Sequence, residues 1–253
     1  MTVLLIGGPA NQVLAAMDQN SRQLITRLET WPTWSTPAPL PRPRPSDDLV
    51  YPDWFEGAWD VESIDLLTDG QQDNIAKTLH HQARFQRNLQ NAVVGDRLFN
   101  ATSVGQALLG GELLSVEQAP QQVNRQLARL SNDRLLESTV IGRLQTSTDS
   151  ESFLSDEVVL QVMHGARAPR LSRIETLSRY RPCPKGSTDN IVDRICGVQW
   201  QRVYPAPGAT NTTFAPRGNR YGLTLTRRQD PSPAVGPPVD HAIRTRVEVG
   251  DDH

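Results

Sequence analysis

Between Tyr51 and Arg228 the chain switches polarity at nearly every residue. In FEGAWDVESIDL (55–66), Trp59 and Val61 alternate with Asp60 and Glu62, the two-residue period of a strand with one buried face. The pattern returns in QARFQRN (82–88), ELLSVEQ (112–118), NRQLARLS (124–131) and LLESTVIGRLQT (135–146). It returns again in FLSDEVVLQVMH (153–164), RLSRIETLSRY (170–180), GVQWQRVY (197–204) and RYGLTLTRR (220–228). Turn-rich pieces such as Ser131-Asn132-Asp133 and Thr148-Asp149-Ser150 separate these segments. Short strands joined by short turns predict an all-β fold, an antiparallel up-and-down barrel of about 8–10 strands whose closure removes its edges.

Two helical stretches interrupt this pattern. Ser21 to Glu29 predicts a short amphipathic helix, capped by Ser21, with Leu24, Ile25 and Leu28 on one face. It stops at Trp31-Pro32, because the residue before proline avoids the α region. The other is inserted between strands, where Asn100 or Thr102 caps ATSVGQALLG and Gly110-Gly111 ends it. Pro32, Pro37, Pro39, Pro41, Pro43 and Pro45 make residues 31–45 polyproline-like. Such a segment docks on an aromatic groove elsewhere, or straps the domain with Trp31 and Trp34 packed on its own surface; we favour the strap. The expected division is therefore 1–16 as a truncated signal peptide, 17–50 as helix plus strap, 51–228 as barrel, and 229–253 as a mobile tail. The rival for residues 1–16 is an ordinary frayed terminus, since no Lys or Arg precedes Val3-Leu4-Leu5-Ile6 and Gly7-Gly8-Pro9 interrupts it.

Composition narrows the function mainly by exclusion. The 26 basic and 28 acidic side chains give a net charge of −2, without the basic excess of a nucleic-acid binder. No run approaches the ~20 apolar residues of a transmembrane helix. Cys183 and Cys196 sit in PCPKGSTDNIVDRIC. They form either a disulfide suited to an oxidising compartment or two free thiols; too few ligands lie near them for a metal. There is no phosphate loop, nucleophile elbow or paired-His zinc helix, so no catalytic residue, metal or cofactor is assigned. His80 and His81 are adjacent and face opposite sides of a strand, as do Asp156 and Glu157, so neither is a working pair. His164, His241 and His253 are scattered. Arg84, Arg87, Arg125, Arg129, Arg143, Arg170, Arg173 and Arg179 lie within strands. Either they line a polar cavity that grips an anionic headgroup or carboxylate, with partners such as Glu137 or Glu175, or they point outward into solvent. Asn100-Ala101-Thr102 and Asn211-Thr212-Thr213 fit the glycosylation pattern, which is too common to weigh.

Gly57-Ala58-Trp59 on the first strand, after YPDWFE, resembles the start of a lipocalin (calycin) barrel, although the usual helix after the barrel is missing. The resemblance implies that Trp59 plugs the closed end and that Arg227 or Arg228 stacks across it as a cation–π contact. More of the chain resembles the family called domain of unknown function 6816. WPTWSTPAPLPRPRPSDDLVYPDWFEGAWDVES, QARFQRNLQNAVVGDRLFNATSVGQALLG and VNRQLARLSNDRLLESTVIGR carry that resemblance, within about residues 31–180. It implies an exported protein of cyanobacteria and chloroplasts, in the thylakoid lumen or periplasm, with a small β-barrel fold and no assigned activity. Two functions fit. One is a non-enzymatic barrel holding a small hydrophobic or amphipathic ligand such as a pigment or lipid; the other is an accessory or assembly factor docking on photosynthetic membrane complexes.

Overall fold

The computed structural model describes residues 9–66, 78–119, 121–146, 148, 151–165, 167–184, 192–206 and 217–229. Helix α1 (Pro9–Glu29) is followed by the proline segment and by β1 (Val50–Tyr51), β2 (Gly57–Asp65), β3 (Thr78–Arg87) and β4 (Val93–Gly95). Helix α2 (Arg97–Leu109) leads into β5 (Leu113–Gln118), β6 (Arg125–Leu130) and β7 (Arg134–Gln145). The long strands β8 (Phe153–His164), β9 (Arg170–Pro182), β10 (Arg194–Pro205) and β11 (Arg217–Arg227) complete the chain's order.

The strands form one antiparallel sheet, ordered β1-β4-β3-β2-β11-β10-β9-β8-β7-β6-β5. β5 to β11 is a simple meander, and β11 then pairs with β2, Leu225 opposite Val61 and Arg227 opposite Trp59. That pairing curls the sheet into a half-barrel with an apolar interior of Phe55, Trp59, Val61, Phe85, Phe153 and Ile195. The mainly antiparallel β architecture follows the alternation. Closure differs: β1 and β5 are margins, and α2 spans the interval by packing on both β3 and β5. β1 ends at Pro52, which has no N–H to donate to a ladder.

Both helices depart from their expected starts. α1 begins at Pro9, not Ser21, because residues 10–20 hold no breaker and proline suits the first helical position. Residues 9–16 are thus helical, while residues 1–8 lie outside the described residues, as do 230–253, which hold nearly all of the expected tail, and Asn211. α2 is capped by Asp96, whose carboxylate accepts from Phe99 N at 3.0 Å. Asn100 instead brackets the β3 backbone, accepting from Arg84 N at 2.7 Å and donating to Arg84 O at 3.1 Å. Thr102 donates to Leu98 O.

The proline segment is a strap on the chain's own wall. Trp34 is buried with Leu177, Trp200 and Tyr204 on the outer face of β9 and β10. Leu24 and Leu40 pack on Leu144 and Leu154. Strap carbonyls also extend the sheet's hydrogen bonding, Pro41 O accepting from Arg143 N at 2.9 Å and Pro45 O from Val123 N at 3.0 Å. Leu40 rides over Gly142, where any larger residue would collide with it, beside the register shift in β7.

One end of the half-barrel is sealed around Trp59, which is fully buried and donates from Nε1 to Phe55 O at 2.7 Å. The Arg227 guanidinium lies 4.3 Å from the Trp59 ring centroid. It donates to Glu56 O at 2.7 Å and Val192 O at 2.8 Å. Arg228 sits outside, 3.7 Å from Asp60. Gly57 has φ +123°, and a Cβ there would strike Arg227 Nη1. Cys183 and Cys196 are joined across the β9–β10 connection, 13 positions apart.

Gly57→Ala should therefore lower unfolding stability by about 1–3 kcal/mol in urea titration, through backbone strain and the displaced arginine. A midpoint equal to wild type would show that the Gly57–Arg227 contact is not limiting. Reducing the disulfide should cost about 3 kcal/mol by freeing a short loop in the unfolded chain. That loss is read as a lower melting temperature in reductant, absent in a Cys183→Ser/Cys196→Ser double variant.

Candidate functional site

The inward-facing residues of each strand change character from the sealed end toward the other. On β2 they run Trp59, Val61, Ser63, Asp65; on β11, Leu225, Leu223, Tyr221, Asn219; on β10, Ile195, Gly197, Gln199, Gln201. Cross-strand register sets the change at one level, since Gln199 opposes Tyr221 and Gln201 opposes Asn219. The result is a cup of about 750 Å³, apolar below and polar above.

The floor is aromatic. Tyr51, Phe55, Phe85 and Phe153 meet with ring centroids 4.7–6.2 Å apart, and Tyr180 meets Phe55 edge-on at 5.2 Å. Offset and edge contacts of this kind fix ring positions beyond what area burial alone would do. Burial raises the Tyr51 and Tyr180 hydroxyl pKa values above the ordinary tyrosine range, so both are neutral donors at the floor.

One wall is charged but internally balanced. Arg97, the first residue of α2, donates to Asp48 at 2.7 Å and lies 3.8 Å from Glu157. Glu157 also accepts from Arg143 Nε at 2.7 Å. Arg143 continues to Asn124 Oδ1 at 2.6 Å and Asp47 O at 2.8 Å. Strap, α2, β7 and β8 are tied together here. On the facing wall, His81 turns inward and His80 outward; burial holds the His81 imidazole below its usual pKa. It is therefore neutral near pH 7.

Of the arginines singled out in the sequence, Arg143 is the one buried in the interior. Arg84, Arg125 and Arg129 pair on the outer surface with Asp96, Glu137 and Glu117. Arg87 pairs with Asp53 and Glu56 at the sealed rim. Sequence patterns missed Arg97, Asp48 and Tyr51. Their elements are too short, or too irregular, to carry a period; Asp96 followed by Leu98 and Phe99 was the available sign of a helix start.

A second cluster of ionisable groups lies on the outer wall beneath α1 and the strap. Glu175 is fully buried and accepts from Arg27 Nε at 2.6 Å, Arg27 Nη2 at 2.7 Å, Tyr204 Oη at 2.8 Å and Ala38 N at 3.1 Å. Asp156 beside it is also fully buried, and neither of its oxygens has a partner. Burial, with the Glu175 charge adding to it, pushes the Asp156 carboxyl up to about 8. Glu175, Asp156 and Tyr204 are sealed from solvent while Arg27 stays partly exposed. None of the four lines the cup, so the cluster's work is to hold the arm formed by α1 and the strap. Asp156 and Glu157 do point to opposite faces.

A family model described as a domain of unknown function (DUF6816) matches residues 44–230, and the chain belongs to that family. No curated protein and no solved structure matches it. Among the described residues there is no group of three or more metal-ligating side chains and no helix long and apolar enough to cross a membrane.

Asp156 gives a pH signature with a definite sign. Unfolded, its carboxyl titrates near ~3.9, so the folded chain holds an extra proton from there up to about pH 8. The associated stability is fully present below the unfolded value and is lost as pH rises through the folded one. Melting temperature should fall over that interval, and Asp156→Asn should flatten the fall; an unchanged slope in the variant would place the proton elsewhere.

Proposed function

We propose that this member of a family without an assigned activity is a non-enzymatic carrier, holding one small hydrophobic or amphipathic molecule in its cup. The observation that carries this reading is the cup of about 750 Å³ with an aromatic floor and a polar upper belt, within the size range of small-molecule pockets. The ionisable groups on its charged wall are paired with one another, which supports binding rather than proton transfer. The strap's Trp34 is buried on the chain's own wall, which supports a structural strap over a docking segment for membrane complexes. The Cys183–Cys196 bond supports an exported, oxidising location, lumenal or periplasmic.

N-phenylnaphthylamine, an uncharged apolar fluorophore, should brighten on mixing with the folded protein. Ser63→Trp, placed at mid-depth on the wall, should weaken that binding about tenfold or more while leaving the circular dichroism spectrum and melting temperature in place. Absence of brightening with folded wild type would sink the carrier reading.

A further inference from the structure

The upper belt gives the chemistry of the occupant's head. Gln199 Nε2 donates to Ser178 Oγ at 3.2 Å, which leaves its carbonyl oxygen for a ligand. Asn219 Nδ2 donates to Tyr221 Oη at 2.7 Å, which leaves the Asn219 carbonyl and the Tyr221 hydroxyl proton. The Gln201 amide lines the same cup. Because Gln199 faces Tyr221 and Gln201 faces Asn219 across the β10–β11 ladder, the four side chains form one contiguous patch with neighbours about 5 Å apart. The four side chains are mixed in donors and acceptors and carry no formal charge, and Asp65, opposite Tyr221, adds a carboxylate beside them that repels an anionic head.

The charges nearby complete the picture. Arg97 is the one Lys or Arg among the described residues lining the cup. Its guanidinium is taken by Asp48 at 2.7 Å, with Glu157 at 3.8 Å. An ionised carboxylate or phosphate brought to that wall would meet two carboxylates and displace one of them to reach the arginine. Burying a charge without a new partner costs far more than burying a hydroxyl or amide that the belt can satisfy.

We infer that the occupant is an uncharged amphiphile. Its ring or chain rests on Phe55, Phe85 and Tyr180, and its hydroxyl- or amide-bearing head meets Gln199, Gln201 and Asn219. This deepens the carrier reading and rests on it. A belt built to hydrogen-bond a polar head discriminates strongly against heads that leave it unpaired, so selection is made at the head while the floor accepts many apolar shapes.

Monolaurin and laurate share an acyl chain and differ in head charge at about pH 8, well above the carboxylic-acid range. Isothermal titration of each into the full chain should give monolaurin an affinity about tenfold or more above that of laurate. Gln201→Leu should lower monolaurin affinity about tenfold relative to that of N-phenylnaphthylamine, which has no hydroxyl head to lose a partner. Laurate binding as tightly as monolaurin, or monolaurin failing to bind while N-phenylnaphthylamine binds, would overturn the uncharged-head assignment and spare the carrier. Failure of N-phenylnaphthylamine itself would remove the carrier and this inference together.

Discussion

The seam of the half-barrel is closed by charge. Backbone pairing stops at β1 and β5, and the polar chain Asp48–Arg97–Glu157–Arg143–Asn124 joins what the ladder leaves apart. Buried ion pairs are poor sources of net stability, because desolvation offsets most of the Coulomb gain. This one has a different task. The strap brings the Arg44 and Asp47 carbonyls inside, where they need donors, and Asn124 and Arg143 supply them. Loss of any one partner would strand a buried charge rather than remove a contact, so the network specifies one arrangement of strap, helix and sheet.

The sheet is buried on two sides for part of its length, and the arm explains why. On β8 the inward Phe153 and the outward Leu154 and Val158 are all buried. On β9 and β10, Leu177 and Trp200 face out, yet they are covered by Trp34 and Leu28. An outer wall of this kind would expose a large apolar patch if α1 and the strap were absent. Arg27 binds both layers, pairing with Glu175 below and lying 4.4 Å from the Trp34 ring centroid above.

The strands were legible because period-two alternation is a local signal: each of the nine expected segments is a strand, from the one bearing Trp59 to the one bearing Arg227. β1 and β4 were not, since two and three residues cannot display a period. The start of α1 is hidden because Ser21, a residue suited to capping, lies inside a stretch with no Gly or Pro from 10 to 29. The cup was half legible. The polarity change on each strand is written in the sequence, but the register that brings those changes to one level is a non-local fact. The charged wall was hidden for the same reason: Asp48, Arg97, Arg143 and Glu157 come from four separate elements, and nothing in their spacing announces a meeting. Alternation did show that Asp156 and Glu157 part company. It could not show that one would face a cavity and the other a sealed layer.

None of the 13 residues of helix α2 is fully buried, although it forms a wall of the cup through Arg97 and Val104. Segments without buried anchors swing away from a fold at lower free energy than strands packed on both faces. Of the cup's walls, α2 is held chiefly by polar ties, Arg97 to Asp48 and Asn100 to the β3 backbone, so its hold on the sheet weakens with salt and pH sooner than that of the packed strands.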